Sequence, residues 1–170
     1  MRRLLCLVLA LFTCAAILTG CSDSAFGRTG IFEAPTSKFP DEPPILAVSD
    51  GESTVYAWRG TTSWTVKKLD GTGTGIQSDS PHPLDCVGDI PALEISKDAS
   101  LTLTFEAAPD RILVRKYSKS ADYDSYEELE INGTLEVEEG NYLYEVIATW
   151  DTSLKSYSGK VYYAFCTVRG

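Results

Sequence analysis

The sequence predicts an all-β domain, an Ig-like or related antiparallel β-sandwich of about 8–10 short strands, set behind a signal peptide and a flexible spacer. Two observations carry the class. Beyond Pro44 the chain runs in short segments rich in Val, Ile, Thr, Tyr and Phe with alternating apolar positions, parted by clusters of Gly, Asp, Asn, Ser and Pro. No stretch shows the apolar spacing of an amphipathic helix, and no solenoid repeat is visible. At 170 residues, 44% of them hydrophobic, the chain can fill one core and is short for two.

The first element is a leader over 1–20. Arg2 and Arg3 form a positive start, and 4–18 is almost uninterruptedly apolar yet shorter than the roughly 20 residues a helix needs to span a bilayer. The run closes on Leu18-Thr19-Gly20-Cys21, which resembles the lipobox read by bacterial lipoprotein signal peptidase. Small residues at Thr19 and Gly20 let the backbone enter a protease cleft, and the Cys21 thiolate is the nucleophile that accepts a diacylglyceryl group. The expectation is a chain anchored to membrane lipid through Cys21 and facing outside the cell, since two or more acyl chains anchor durably.

Residues 21–44 follow as the lipidated N-terminus and spacer, aperiodic and carrying Pro35, Pro40, Pro43 and Pro44. The sandwich is then expected over 45–170, with strands at 45–48, 54–59, 63–68, 92–96, 100–105, 111–117, 127–131, 134–137, 141–151 and 159–168. In 101–105 leucines and a phenylalanine alternate with threonines, the mark of a half-buried strand. Asn132-Gly133 suits a type I′ turn and predicts a hairpin over 127–137.

Composition also excludes partners. With 15 basic against 24 acidic residues the formal charge is -9, and loss of Arg2 and Arg3 with the leader makes it more negative still. Such a surface repels phosphate backbones, so no nucleic-acid binding is expected. Trp58, Trp64 and Trp150 default to the core, and the sharper alternative is a ligand-facing platform for flat apolar sugar faces. After cleavage Cys86 and Cys166 are left over beside Cys21; outside the cytosol they can form a disulfide, and a buried free thiol is the alternative at Cys166.

Catalytic and metal chemistry find little support. Asp79, the lone His82 and Asp85 are evenly spaced in the longest irregular stretch, 71–86, but Pro81 and Pro83 hold His82 extended and send neighbouring side chains apart. The Gly-Thr-Gly-Thr-Gly run lacks the Lys-Ser/Thr of a phosphate loop. Asp122, Asp124, Glu127, Glu128 and Glu130 read as a charged strand edge, not a calcium loop. No Gly-x-Ser-x-Gly nucleophile motif is present. No catalytic residue, metal or cofactor is therefore expected.

Three segments, Val55-Tyr56-Ala57-Trp58-Arg59-Gly60, Asp79-Ser80-Pro81-His82-Pro83-Leu84 and Tyr144-Glu145-Val146-Ile147-Ala148-Thr149-Trp150, together resemble a group of small uncharacterised lipoproteins of Gram-positive bacteria. The likeness covers Pro44 to the C-terminus and carries no activity or site residues with it. It implies that the Cys86 position is often not cysteine, which would make a disulfide there peculiar to this chain. The expected function is a tethered, non-enzymatic binding or interaction domain for a cell-wall glycan or surface protein. The alternatives are a sensor or modulator of a membrane protein and, behind it, an enzyme acting on envelope polymers.

Overall fold

Alternation along the strands builds two layers. In β6 (Ala99–Phe105) Leu101 and Leu103 are buried while Thr102 and Thr104 face solvent, the period of two that lays one strand face on a core. A computed structural model describes residues 26–151 and 155–170; Leu18, Thr19, Gly20, Cys21 and the leader lie outside them. The described residues form an all-β sandwich of eleven strands.

The smaller sheet has the order β2 (Thr54–Tyr56), β1 (Leu46–Ser49), β6 and β9 (Thr134–Val137). The larger runs β4 (Gly73–Ser78), β3 (Trp58–Lys67), β11 (Tyr157–Arg169), β10 (Tyr142–Trp150), β7 (Arg111–Ser118) and β8 (Glu127–Ile131). β5 (Ala92–Ile95) lies parallel to the last residues of β11, where β3 has ended. This is not the four-plus-three strand order of an immunoglobulin domain. The expectation therefore holds at the level of the antiparallel sandwich.

The core lies between the sheets. Leu46, Val48, Leu101, Leu103, Leu135 and Val137 of the small sheet meet Trp64, Val114, Val146, Trp150, Tyr163 and Phe165 of the large one. Trp64 and Trp150 meet edge to face at 5.4 Å. Their indole N–H groups donate to the carbonyls of Pro40 and Ala107, at 2.8 and 3.0 Å, so neither buried ring leaves a polar atom unpaired.

Three local expectations are corrected. Strands 127–131 and 134–137 are not a hairpin: β8 pairs with β7 in the large sheet and β9 with β6 in the small one. Gly133 takes the positive φ, +89°, but no non-glycine residue does, so Asn132 does not enter the type I′ geometry that would join its two flanks. The stretch 71–86 is not all loop, because 73–78 adds to β3 as an edge strand. The described part of the expected spacer, 26–44, touches the domain at its two ends and is largely exposed between them: Phe26, Pro43 and Pro44 are buried and Phe39 meets Tyr157 edge-on at 4.9 Å, while Pro35 and Pro40 are exposed and Ile31 is fully so. Phe26, Phe39, Pro43 and Pro44 carry the apolar surface that adheres where composition alone suggests a free coil.

One irregularity positions the site. Val161 pairs with Thr62, but two residues on, Tyr163 pairs with Arg59 instead of Gly60. The extra residue is a β-bulge on β3 at Gly60 and Thr61, and it reverses which side chains face the core. Trp64 and Val66 point inward on one side of it. Trp58, on the other side, lies opposite Ala164 on the outer face of the large sheet.

Burial leaves a pH signature. The Tyr117 phenol and the Cys166 thiol are each pushed up to about 12 by burial, and those of Tyr144 and Tyr163 are raised by the same cause. The unfolded chain releases these protons at about 10 for tyrosine and about 8.5 for cysteine. Their stabilisation is thus complete below those values and is lost as pH climbs towards 12, on the order of 2–3 kcal/mol for Tyr117 alone. Circular dichroism should report alkaline unfolding in that window, with part of the phenolate absorbance emerging only as the fold is lost. Ionisation of all 9 tyrosines near the ordinary value, in a protein that stays folded, would contradict this.

Candidate functional site

Antiparallel register places five residues in one row across the outer face of the large sheet: Glu128 on β8, Arg115 on β7, Glu145 on β10, Ala164 on β11 and Trp58 on β3. Cross-strand neighbours stand about 4.5–5.5 Å apart at Cβ, so the two ends of the row interact through what lies between them. Ala164 is the smallest member, and beside it the bulge contributes Gly60. These short residues leave a pocket of about 380 Å³, walled by Trp58, Tyr162, Arg115 and Glu145 and roofed by Pro81 and His82.

The roof is a built structure. Pro83 and Ile90 are buried and pin the loop over 79–91 to the sheet, Ile90 within an apolar cluster that includes Phe26, Ala92, Leu143 and Cys166. A single 3₁₀ turn at Pro83–Asp85 is capped by His82, whose Nδ1 accepts the Leu84 N–H at 3.2 Å. The same ring stacks on Tyr123 at 4.5 Å and meets Tyr117 edge-on at 5.6 Å. Tyr123 in turn donates its hydroxyl to Asp85. The N-terminal segment ties the far side down, with the Gly27 and Arg28 N–H groups donating to the carbonyls of Val87 and Ile90 at 3.2 and 2.6 Å.

Arg115 organises the charge. Its Nε donates to Glu128 at 3.0 Å, a terminal nitrogen donates to Glu145 Oε2 at 3.3 Å, and its guanidinium carbon lies 4.7 Å from the Tyr126 ring centre. Burial works against the cation, but the Glu128 hydrogen bond and the Glu145 charge outweigh it and hold its pKa above the ordinary arginine value. The Glu145 side chain is only 9% exposed. A carboxylate so desolvated persists only with a cation or donors close by.

That asymmetry gives a prediction. Arg115→Ala strands Glu145 and should cost about 3 kcal/mol or more, whereas Glu128→Ala removes an exposed partner and should cost under about 1 kcal/mol. Adding Glu145→Ala to Arg115→Ala should restore part of the loss. Urea melts of the four proteins check the order; equal costs for Arg115→Ala and Glu128→Ala would contradict it.

Of the three tryptophans for which a ligand-facing role was the alternative to the core, Trp58 alone lines the pocket. Trp64 and Trp150 are each 1% exposed and belong to the core, where inward alternation on β3 and β10 puts them. Of the two states left open for the cysteine pair, the structure has the free thiols, at both Cys86 and Cys166. Cys86 Sγ is turned to the carbonyls of its own turn, His82 and Pro83, at 3.7 and 3.8 Å, while Cys166 is buried on β11. Asp79 and Asp85 are exposed, and no group of three or more acidic, His or Cys side chains suited to a metal is found among the described residues. The acidic run is paired along β7, with Glu127, Glu128 and Glu130 lying against Lys116, Arg115 and Arg111.

Tyr162 carries the same core-or-ligand ambiguity in the sequence as the tryptophans, and the structure places it in the pocket wall; Arg115, Glu145 and Ala164 were not singled out. One signal was present, since Glu145 is the only charged residue in the otherwise apolar run of β10, and a charge in a buried strand marks a partner or a site. No protein-family model matches the chain, and neither a curated protein nor a solved structure matches it. Among the described residues no helix is long and apolar enough to cross a membrane.

Proposed function

We propose that the chain is a membrane-anchored extracytoplasmic lipoprotein and that its sandwich is a non-enzymatic binding domain, with the pocket beside Trp58 as the ligand site. The anchor reading rests on Arg2, Arg3, the apolar run and Leu18-Thr19-Gly20-Cys21. The observation that carries the binding reading is the pocket lining: half-buried rings of Trp58 and Tyr162 beside the pair of half-buried Arg115 and buried Glu145. A few oriented polar groups among apolar and aromatic walls is the usual build of a ligand site. Binding without turnover fits the groups present. Among the described residues Glu145 is the one carboxylate lining this pocket, and it is tied to Arg115, whereas glycoside hydrolysis ordinarily uses a pair. His82 has its Nδ1 occupied by the turn it caps.

Co-sedimentation of the full chain in detergent with purified envelope fractions, cell-wall fragments and solubilised surface proteins alike, tests this reading. Binding to a fraction that is lost with Trp58→Ala is expected. Binding to none, or binding indifferent to Trp58 and Tyr162 substitutions, would overturn it.

A further inference from the structure

We infer that the outer-face pocket takes a neutral pyranose unit of a glycan, its hydroxyls read by Arg115 and Glu145 and its apolar ring face laid on Trp58 or Tyr162. This rests on the pocket being the ligand site proposed above and adds the chemical class of the ligand.

The inference starts from unused hydrogen-bonding capacity. Arg115 commits two of its five N–H donors, one to Glu128 and one to Glu145. Glu145 is engaged only through Oε2 among the described residues, although its side chain is more than nine-tenths buried. Glu145 lines the pocket, and its remaining acceptor capacity is available there to a donor from water or ligand.

A donor and an acceptor side by side suit a group that both gives and takes hydrogen bonds. Adjacent sugar hydroxyls do this: one accepts from the guanidinium while its neighbour donates to the carboxylate. The C–H face of the same ring is apolar and flat, the complement of an aromatic ring. Thr61 and Ser80 supply further hydroxyl or backbone contacts at the rim.

Charge narrows the class. Glu128 and Glu145 outnumber Arg115 in the row, the exposed Asp79 and Asp85 flank the roof, and the chain as a whole carries -9. Anionic sugars and phosphates are therefore disfavoured. A free ammonium would have to compete for Glu145 with a guanidinium already 3.3 Å away, which favours the uncharged ring.

Titration of the full chain in detergent micelles, followed by tryptophan fluorescence, tests this with neutral oligomers of glucose, mannose, galactose and N-acetylglucosamine. Galacturonate oligomers serve as the anionic control and glucosamine oligomers as the cationic one. At least one neutral oligomer should bind saturably, at least about tenfold more tightly than galacturonate, and Glu145→Gln should weaken it about tenfold. Tyr162→Ala provides a second variant should Trp58→Ala fold poorly. Failure of every neutral oligomer, insensitivity to Glu145→Gln, or tighter binding of glucosamine than of N-acetylglucosamine oligomers would overturn the inference. If that happens while Trp58-dependent co-sedimentation with the envelope persists, the ligand class is wrong and the site stands. If both fail, the site falls with it.

Discussion

Gly159→Ala is expected to cost about 3 kcal/mol or more, enough to lower the Tm by roughly 10 °C. Gly159 sits on β11 opposite Trp64 of β3. A Cβ there would stand 2.1 Å from the Ser63 carbonyl oxygen and 3.0 Å from the Trp64 Cα. The obstacle is backbone on both counts, so no rotamer change relieves it and β3 must move away from β11. Overpacking against side chains costs typically 1–3 kcal/mol; a clash with the neighbouring strand belongs at or above the upper end. Gly75→Ala on β4 is the control, because its Cβ would find nothing closer than 3.5 Å and alanine restricts the unfolded chain more than glycine does. Thermal melts of the two variants should separate widely. A Gly159→Ala protein as stable as the parent would mean that β3 and β11 are not paired in this register.

Trp64→Ala should be of similar severity, about 3–5 kcal/mol, for a different reason. The ring is 1% exposed and is shared among Trp150, Tyr157 at 5.4 Å stacked, and Phe39 at 6.3 Å. Truncation opens a cavity where the N-terminal segment meets both sheets, and it also releases the Pro40 carbonyl. Amide exchange around 38–46 should therefore quicken beyond what the global loss explains. Trp64→Phe keeps much of the packing and loses the hydrogen bond, so a smaller loss is expected, about 1 kcal/mol from the bond and the remainder from reduced ring size. Equal losses for the two substitutions would argue against a filled aromatic core at this position.

These residues also mark what could be read from the sequence. The class was legible because each strand carries its own alternation: Leu101 and Leu103 in, Thr102 and Thr104 out, needs no knowledge of the partner strand. Trp64 and Trp150 in the core followed from the default for large apolar rings. Which sheet a strand joins was not legible. Asn132-Gly133 signals a reversal between 131 and 134, but a reversal can pass between sheets as readily as within one, and here β8 and β9 part.

The site was hidden for a related reason. Arg115 and Glu145 are 30 residues apart and become neighbours only through the pairing of β7 with β10. Trp58 and Trp64 share the same parity in sequence, so simple alternation puts both on one face. The bulge at Gly60 separates them. A lone glycine between two strand-like runs is the available hint, since such glycines often mark bulges. The contacts of the 26–44 segment were missed because proline-rich composition speaks of local conformation and is silent on whether Phe26, Phe39 and Pro44 find a surface to cover.

Fold, pocket and tether make one account. The proposed anchor at Cys21 would hold the sandwich outside the membrane, and the outer face of the large sheet offers a shaped recess away from the core that stabilises it. The measurement that tests this most directly is the location and mass of the protein in its own cells, with and without Cys21→Ala. The account predicts membrane association and a diacylglyceryl mass increment that both vanish in the variant. A protein that is soluble and unlipidated in both forms would contradict it.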